Sequence, residues 1–208
     1  MLDYERKHFK DISKIAGLDE AGRGCCAGPL VVACVIMPEN YTNNQINDSK
    51  KLNPNKRKQL AKEILENAID FSIVFIAAPE VDKLNPKQAS KEGMFRCINN
   101  LKIKPNLVIT DFEKIPNLSI KQVNLVKGDE LSFNVACASI LAKVSRDEYM
   151  INLGNKYPNF EFEKHKGYCT QLHNSKIKEF GIIQGEHRMT YKNVNQCLKI
   201  FINKHIKN

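Results

Sequence analysis

The chain has 208 residues, of which 42% are hydrophobic and 26% charged, and its formal net charge is +9. These values fit one compact domain, and the absence of a long apolar run excludes a membrane span or a secretion signal. A basic surface attracts polyanions, but most of the basic residues are lysines, as an AT-rich coding bias would also produce. Charge alone therefore does not establish nucleic-acid binding.

In chain order, the hydrophobic pattern predicts strands at 14–18 and 29–37, a polar loop at 40–53, a helix at 54–69, a strand at 71–77, a helix starting at Asn85-Pro86, strands at 106–110 and 122–126, a helix at 131–152, an irregular stretch at 158–169, and helices at 170–180 and 192–206. Asn53 before Pro54 is a typical helix start, with a capping side chain and a proline at the first helical position. The small residues early in 131–152 would let that helix approach its neighbour closely.

Strands and helices mix without strict alternation, and no repeat, linker or low-complexity tract interrupts them. We therefore predict an α/β fold with a mixed sheet of about five strands flanked by helices. The chain is expected to form a single domain over 1–208, with a C-terminal helical cap over about 155–208.

The seven cysteines form no CxxC pair and no zinc-like spacing with histidine. An odd number without a framework is typical of reduced thiols, and we expect a cytoplasmic protein.

Acidic residues stand where three predicted strands end. Asp19 and Glu20 close the first strand, Asp111 follows 106–110, and Asp129 follows 122–126. Ligand-binding groups converge at strand ends in open sheets, and neighbouring carboxylates need a counter-charge to ionise together. Hard oxygen ligands suit Mg²⁺ or Mn²⁺, and two such ions could activate water for phosphodiester hydrolysis. The competing interpretation is a set of unrelated surface acids.

Asp19 and Glu20 raise a geometric question, because consecutive residues of a regular strand point to opposite faces. They can share a cleft only if the strand twists or ends between them. The glycine-rich stretch that follows, Ala21 to Gly24, favours an early end of the strand.

Several separated motifs resemble the ribonuclease HII family, the type 2 ribonucleases H. They are GLDEAGRG at 17–24 followed by AGPLVVACVI, NDSKKL at 47–52, KGDE at 127–130, ASILAKVSRD at 138–147, HKGY at 165–168 and EHRMTY at 186–191. They occur in the family's order over almost the whole chain. The resemblance implies an RNase H-like fold and a divalent-metal endonuclease acting on RNA joined to or paired with DNA.

The resemblance assigns the family's metal-binding and catalytic carboxylates to Asp19, Glu20, Asp111 and Asp129, which would hold two Mn²⁺ or Mg²⁺ ions. Asp147 competes with Asp129 for the fourth role, because it also lies in a matching motif. We prefer Asp129, since it follows a strand directly. A structural ion pair with Arg146 is the better interpretation of Asp147.

The same resemblance points to the residues that bind substrate. Gly22, Arg23 and Gly24 would read the RNA–DNA junction, where glycines allow close approach to the 2′-OH and arginine can clamp a phosphate. Tyr168 would pack on the sugar of the following deoxynucleotide. Candidate phosphate contacts are Ser49, Lys50, Lys51, Lys143 and Lys166. An ordinary turn, rim packing and common surface lysines are the respective alternatives, and His187 and Arg188 are interpreted as structural.

Three stretches depart from the family pattern, namely Cys25-Cys26, Phe112-Glu113 where Gly-Asn is common, and Met189 to Tyr191. None removes a predicted metal ligand, but Glu113 could add an acid to the floor of the cleft.

The predicted function is hydrolysis of the RNA strand of RNA–DNA hybrids and cleavage 5′ to ribonucleotides embedded in duplex DNA, leaving 3′-OH and 5′-phosphate ends. The expected partners are RNA–DNA hybrids and ribonucleotide-containing duplex DNA, with no membrane, and the protein is expected to be a monomer. Two alternatives stay open. One is type 3 ribonuclease H specificity, for which the roughly 13 residues before the first strand leave no room for the extra domain. The other is a catalytically inactive hybrid-binding module, against which the intact carboxylates argue.

Overall fold

A computed structural model describes residues 4–46 and 53–205 of the chain. Over these residues the helices are α1 (Tyr4–His8), α2 (Pro54–Asn67), α3 (Ala78–Leu84), α4 (Pro86–Asn100), α5 (Gly128–Leu131), α6 (Phe133–Lys156), α7 (Phe162–His165), α8 (Gln171–Phe180) and α9 (Lys192–His205). The strands are β1 (Ile15–Ala21), β2 (Leu30–Ile36), β3 (Asp70–Ile76), β4 (Leu107–Asp111) and β5 (Gln122–Leu125). Among the described helices, none has the length and apolarity of a bilayer-crossing segment.

The five strands form one mixed sheet in the order β3-β2-β1-β4-β5. β1 is antiparallel to β2 and parallel to β4, and β4 is parallel to β5. The predicted α/β class with a mixed five-stranded sheet is therefore confirmed. The predicted end of the first strand is wrong, because β1 continues from Leu18 to Ala21, which pairs with Val31 of β2.

The chain divides into two compact units. The sheet unit comprises Met1–Ala21, Val31–Phe75 and Ser90–Val144, and the helical unit comprises Gly22–Leu30, Ile76–Ala89 and Ser145–Asn208.

In the sheet unit, small residues allow a helix to lie close against the strands. A Cβ atom on Gly17 of β1 would lie 2.1 Å from the backbone carbon of Asn134 on α6. Ala136 and Ile140 of α6 pack in one buried cluster with Ala33 of β2 and with apolar residues of α2. The predicted close approach of this helix is confirmed, and it depends on the absence of larger side chains at these positions.

Local capping fixes where two helices of the sheet unit begin. The Asn53 side chain accepts a hydrogen bond from the backbone N–H of Lys56 at 2.9 Å, as the Asn-Pro sequence predicts. At the start of α6, the Glu5 carboxylate accepts hydrogen bonds from the Asn134 backbone N–H at 3.1 Å and from the Ser132 hydroxyl. Glu5 lies on α1, 127 residues before Ser132 in sequence. Local sequence signals therefore do not show that α1 caps the start of α6.

The helical unit contains the C-terminal helices that the sequence predicts. Its buried clusters include Phe160, Phe162 and Met150 in one group and Ile177 with Val194 in another. The stretch 158–169, predicted to be irregular, contains a 3₁₀ turn at Pro158–Phe160 and the short helix α7. The elements α1, α3, α5 and α7 are too short to produce a periodic signal in the sequence.

Candidate active site

Two of the predicted acidic residues lie on neighbouring parallel strands of the sheet unit. Leu18 of β1 is paired with Thr110 of β4, so the next residues, Asp19 and Asp111, lie side by side at the same end of the sheet. Both belong to the face that carries Ile15, which packs in the same apolar cluster as Leu107 of β4. The pairing of β1 with β4 therefore places the carboxylates of Asp19 and Asp111 next to each other at one end of the sheet.

Glu20 follows on β1, but the strand does not end before it. Glu20 is paired with Val32 and Ala21 with Val31, so the regular alternation of side chains continues past Asp19. The early strand end proposed to bring both carboxylates to one face is wrong. Instead, Oδ1 of the Asp19 carboxylate accepts a hydrogen bond from the backbone N–H of the next residue, Glu20, at 2.7 Å.

Asp129 reaches the same region from the short helix α5. Lys127 before it adopts a left-handed conformation with φ 58°, which turns the chain sharply after β5. The backbone N–H of Gly128 then donates a hydrogen bond to Oδ1 of Asp111 at 2.8 Å. Asp129 itself is buried, with 3% of its surface exposed. We refer to Asp19, Glu20, Asp111 and Asp129 together as the acid edge.

The negative charges of the acid edge repel one another. Burial raises the pKa of the Asp19 carboxyl well above its usual range, and the charges of Glu20 and Asp111 raise that pKa further. Hydrogen bonds from the Ser139 side chain and the Glu20 backbone act in the opposite direction. A divalent cation would offset this repulsion, and carboxylate oxygens are the ligands that Mg²⁺ and Mn²⁺ prefer, so the donor chemistry fits such an ion.

The carboxylates do not form a closed coordination shell. Within the described residues, no three His, Cys, Asp or Glu side chains converge closely enough for a ready-made metal site. The acid edge thus offers ligands from separate elements, and the assignment of metal ligands remains a prediction.

Two other residues of the sheet unit bear on this region. Lys143 is half-buried and lies one helical turn after Ser139 on α6, so both residues share a face of that helix. Glu113 does not add an isolated acid, because its buried carboxylate lies 3.8 Å from the Lys91 ammonium.

In the helical unit, the predicted substrate-reading glycines begin a loop, residues 22–29, that we call the anchored loop. Gly22 has φ 93°, and a Cβ atom there would lie 2.0 Å from Nε of Arg146. A side chain at this position is excluded both by conformation and by space. A Cβ atom built on Gly24 would have no other atom within 4 Å, so the fold leaves space for a side chain at this position.

Two buried arginines hold the anchored loop through its backbone carbonyls. The Arg146 guanidinium donates to the carbonyls of Pro29 at 3.0 Å, Ala27 at 3.0 Å and Lys166 at 2.8 Å. Arg188 donates to the carbonyls of Gly28 at 3.0 Å and Arg23 at 3.1 Å. The structural interpretation of Arg188 agrees with these bonds.

The predicted ion pair of Arg146 with Asp147 explains little of the arginine's role. Asp147 attracts the guanidinium electrostatically, but the hydrogen bonds of that group go to loop carbonyls. Asp147 also belongs to the helical unit, whereas Asp129 belongs to the sheet unit together with Asp19 and Asp111. The choice of Asp129 over Asp147 as a metal ligand stays a prediction.

Tyr168 and Lys166 lie in the segment that Arg146 also holds. The Tyr168 ring is 44% exposed, and its centroid lies 5.9 Å from the Arg146 guanidinium carbon. Lys166 has φ 49°, and its ammonium donates to the Glu163 carbonyl. Arg23 is half-buried at the start of the anchored loop. The predicted contacts Ser49, Lys50 and Lys51 lie outside the described residues.

The residues that sequence reasoning missed are those that position others. Ser139 and Arg146 both lie in the ASILAKVSRD stretch, yet the motif does not show that Ser139 bonds to Asp19 or that Arg146 binds carbonyls. Asp19 and two of the three carbonyl partners of Arg146 are more than a hundred residues away in sequence, so no local signal could identify these contacts.

A mixed sheet in this order, with acidic residues at the ends of its adjacent parallel strands, defines an RNase H-like α/β protein. Solved structures agree: ribonuclease H2 from Pyrococcus horikoshii OT3 aligns with a TM-score of 0.78 at 25% identity, over 90% of this chain and 98% of that one. The Mn²⁺ complex of Bst-RNase HIII aligns with a TM-score of 0.74 at 18% identity, over 94% and 72%, which shows the shared fold alone.

Sequence comparisons identify the family within that class. The family model described as Ribonuclease HII matches residues 16–194. The ribonuclease HII of Mycoplasma mycoides subsp. mycoides SC is 47% identical over 199 residues, covering 95% of this chain and 96% of that protein. The chain belongs to the ribonuclease HII family. This is a family of divalent-metal-dependent endonucleases that act on RNA–DNA hybrids and leave 5′-phosphate ends.

Proposed function

We propose that this chain cuts the phosphodiester bond on the 5′ side of a ribonucleotide embedded in duplex DNA, leaving a 3′-OH and a 5′-phosphate, besides hydrolysing the RNA strand of hybrids. The observation that carries the proposal is the register of β1 and β4, which sets Asp19 beside Asp111 where Gly128 leads into Asp129. The two units are proposed to act as one catalytic domain over 1–208, as a cytoplasmic monomer without membrane contact.

In this proposal the acid edge holds two divalent ions, Mn²⁺ or Mg²⁺. When bound, such ions activate water and stabilise the leaving oxygen of an in-line displacement. The chain's own contribution is to keep the carboxylates oriented. Ser139 and the Glu20 N–H hold the Asp19 carboxylate, and the Gly128 N–H holds that of Asp111.

The remaining predicted contacts would bind the nucleic acid. Arg23 would clamp a phosphate, Gly22 and Gly24 would let the backbone approach the 2′-OH, and Tyr168 would pack on a deoxyribose. Lys143, Lys166, Ser49 and Lys50 would contact phosphates. Support for the loop assignment comes from its rigidity, since Arg146 and Arg188 fix its carbonyls and so fix the direction of its remaining polar groups.

Cleavage of a labelled DNA duplex with one internal ribonucleotide tests the proposal, in Mg²⁺ and in Mn²⁺, with product ends mapped. The expected result is a single cut 5′ to the ribonucleotide with a 3′-OH end. The matched substrate is a hybrid with an uninterrupted RNA strand. Cleavage of that hybrid alone would indicate type 3 specificity, and metal-dependent binding of both without cleavage would indicate an inactive binding module.

A further inference from the structure

Directly after Asp111, the sheet unit presents an aromatic side chain in a strained conformation. Phe112 has φ 66° and is 60% exposed. The Glu113 backbone N–H donates to the Asp111 carbonyl at 2.8 Å, which closes a three-residue turn centred on Phe112. A γ-turn with positive φ at its centre is rare and strained for a residue with a side chain, whereas glycine adopts it readily.

A network of buried groups holds this turn in place. The Thr110 hydroxyl donates to the Glu113 carbonyl at 2.7 Å, and the Asn124 amide donates to the same carbonyl at 3.0 Å. The Glu113 carboxylate pairs with Lys91. Because backbone strain persists only where the surroundings over-determine it, and such strain concentrates at functional sites, the position of the Phe112 ring calls for a function.

The residues that follow the neighbouring strand β5 also expose an apolar side chain next to Phe112. The Phe112 N–H donates to the Leu125 carbonyl at 2.8 Å, so Val126 lies beside Phe112, and it is 68% exposed. Lys127 comes next, and 70% of its side chain is exposed. Its 3.4 Å pairing with Glu130 is of the exposed kind that contributes little energy and yields readily to another anion.

An aromatic ring, an aliphatic side chain and a cation thus adjoin the acid edge. This combination matches a nucleotide, because rings stack on bases and sugars while cations neutralise phosphates. It does not match a purely anionic ligand, for which two exposed apolar side chains would be of no use.

We propose that Phe112 is a substrate-binding, specificity-determining residue of this chain, stacking on a base or sugar of the nucleic-acid strand bound at the acid edge, with Val126 beside it. The inference rests on the proposed function, since it takes the acid edge as the place where the strand is held. It adds a contact that the metal ligands and the anchored loop do not supply.

The variant Phe112→Gly separates this role from a structural one. Glycine relieves the positive φ, so the thermal midpoint is expected to rise by about 2–4 °C. Removal of the ring is expected to weaken binding about tenfold, as loss of one aromatic stacking contact does. Binding is measured as the anisotropy of a labelled RNA–DNA hybrid in EDTA, where cleavage does not interfere, and Phe112→Tyr is expected to restore the affinity.

The matched control is Phe71→Gly, which removes a 41% exposed phenylalanine from β3 at the opposite edge of the sheet. It is expected to bind the hybrid as the unaltered chain does. Unchanged binding by Phe112→Gly, or weaker binding together with a lowered midpoint, would overturn the inference. Failure of the unaltered chain to cleave any substrate would instead overturn the proposed function, and the comparison of binding would still decide the role of Phe112.

Discussion

The acid edge of the sheet unit and the anchored loop of the helical unit are positioned by opposite means. At the acid edge, strand register places carboxylates together although burial and like charge raise the pKa of Asp19. In the anchored loop, Arg146 and Arg188 satisfy backbone carbonyls, so buried charge is matched by hydrogen bonds. One region holds its groups at a cost to stability, and the other stabilises the fold.

This difference separates what substitutions in each region should change. Removing a charge from the acid edge should affect activity and spare stability, because the lost interaction is repulsive in the folded chain. Disturbing the anchored loop should affect stability first, because its contacts are internal to the helical unit.

The largest effect is expected from Asp19→Asn. Loss of one carboxylate of the acid edge should lower the rate of hybrid cleavage by on the order of 10³-fold, as removal of a group that stabilises developing charge does. The free energy of unfolding should not fall, since repulsion from Glu20 and Asp111 is relieved. Single-turnover cleavage and urea unfolding measure the two quantities.

Glu130→Gln is the matched control for the acid edge, used beside Asp129→Asn. The two acids are adjacent on α5, but Asp129 is buried and the Glu130 side chain is 47% exposed. Asp129→Asn should lose activity as Asp19→Asn does, and Glu130→Gln should keep it. Equal activity of the two α5 variants would remove Asp129 from the site.

The sequence was sufficient to predict that acidic residues stand near the ends of three strands, because an apolar run precedes each of these positions. The order of the strands in the sheet was not predictable from the sequence. Asp19 and Asp111 are close together because β4 lies next to β1, and the sequence does not show this. The continuation of β1 to Ala21 was missed for a related reason. The polar residues Asp19 and Glu20 end the apolar pattern, but the ladder with β2 extends the strand.

The anchored loop shows where sequence reasoning fails more completely. Its glycines suggest a turn, but the need for glycine at Gly22 and not at Gly24 comes from Arg146, which is more than a hundred residues away. Likewise, the turn at Phe112 contradicts local preference, and Asn124 of the neighbouring strand β5 helps to impose it. Long-range contacts of this kind leave no periodic signal in the chain.

The variants Gly22→Ala and Gly24→Ala are expected to differ in stability, and this difference tests the anchoring of the loop. Alanine at Gly22 must adopt φ 93° and displace the Arg146 guanidinium, so a loss of about 3 kcal/mol in unfolding free energy is expected. Alanine at Gly24 meets open space and should cost less than about 0.5 kcal/mol. Urea unfolding measures both, and equal losses would refute the anchoring role of Arg146.

Gly24→Ala then tests the proposed contact with substrate. If the backbone at Gly24 approaches the 2′-OH, a methyl group there should weaken cleavage while stability is kept. Cleavage of a single-ribonucleotide duplex at the rate of the unaltered chain would place the substrate away from Gly24.

The smallest effect is expected from pH, and it contrasts the two regions again. In the helical unit, burial is the main cause that lowers the pKa of His173 to about 3 and that of His187 to about 4. His173 Nε2 lies 3.2 Å from His187 Nε2, and its ring stacks on that of His165 at 4.2 Å between centroids, so protonation of any one opposes that of the others.

Because these folded-state pKa values lie below the usual 6.5, the histidines stabilise the fold above that pH, and this stability is lost as the pH falls toward 4. Two such groups should together cost roughly 1 kcal/mol between pH 7 and pH 6. The raised pKa of Asp19 acts in the opposite direction, since that carboxyl gains a proton more easily in the folded chain. Urea unfolding from pH 7.5 to 5 measures the slope. In the Asp19→Asn chain, which lacks that opposing carboxyl, a stability that stays flat or rises over this range would show that the three histidines do not resist protonation in the folded chain.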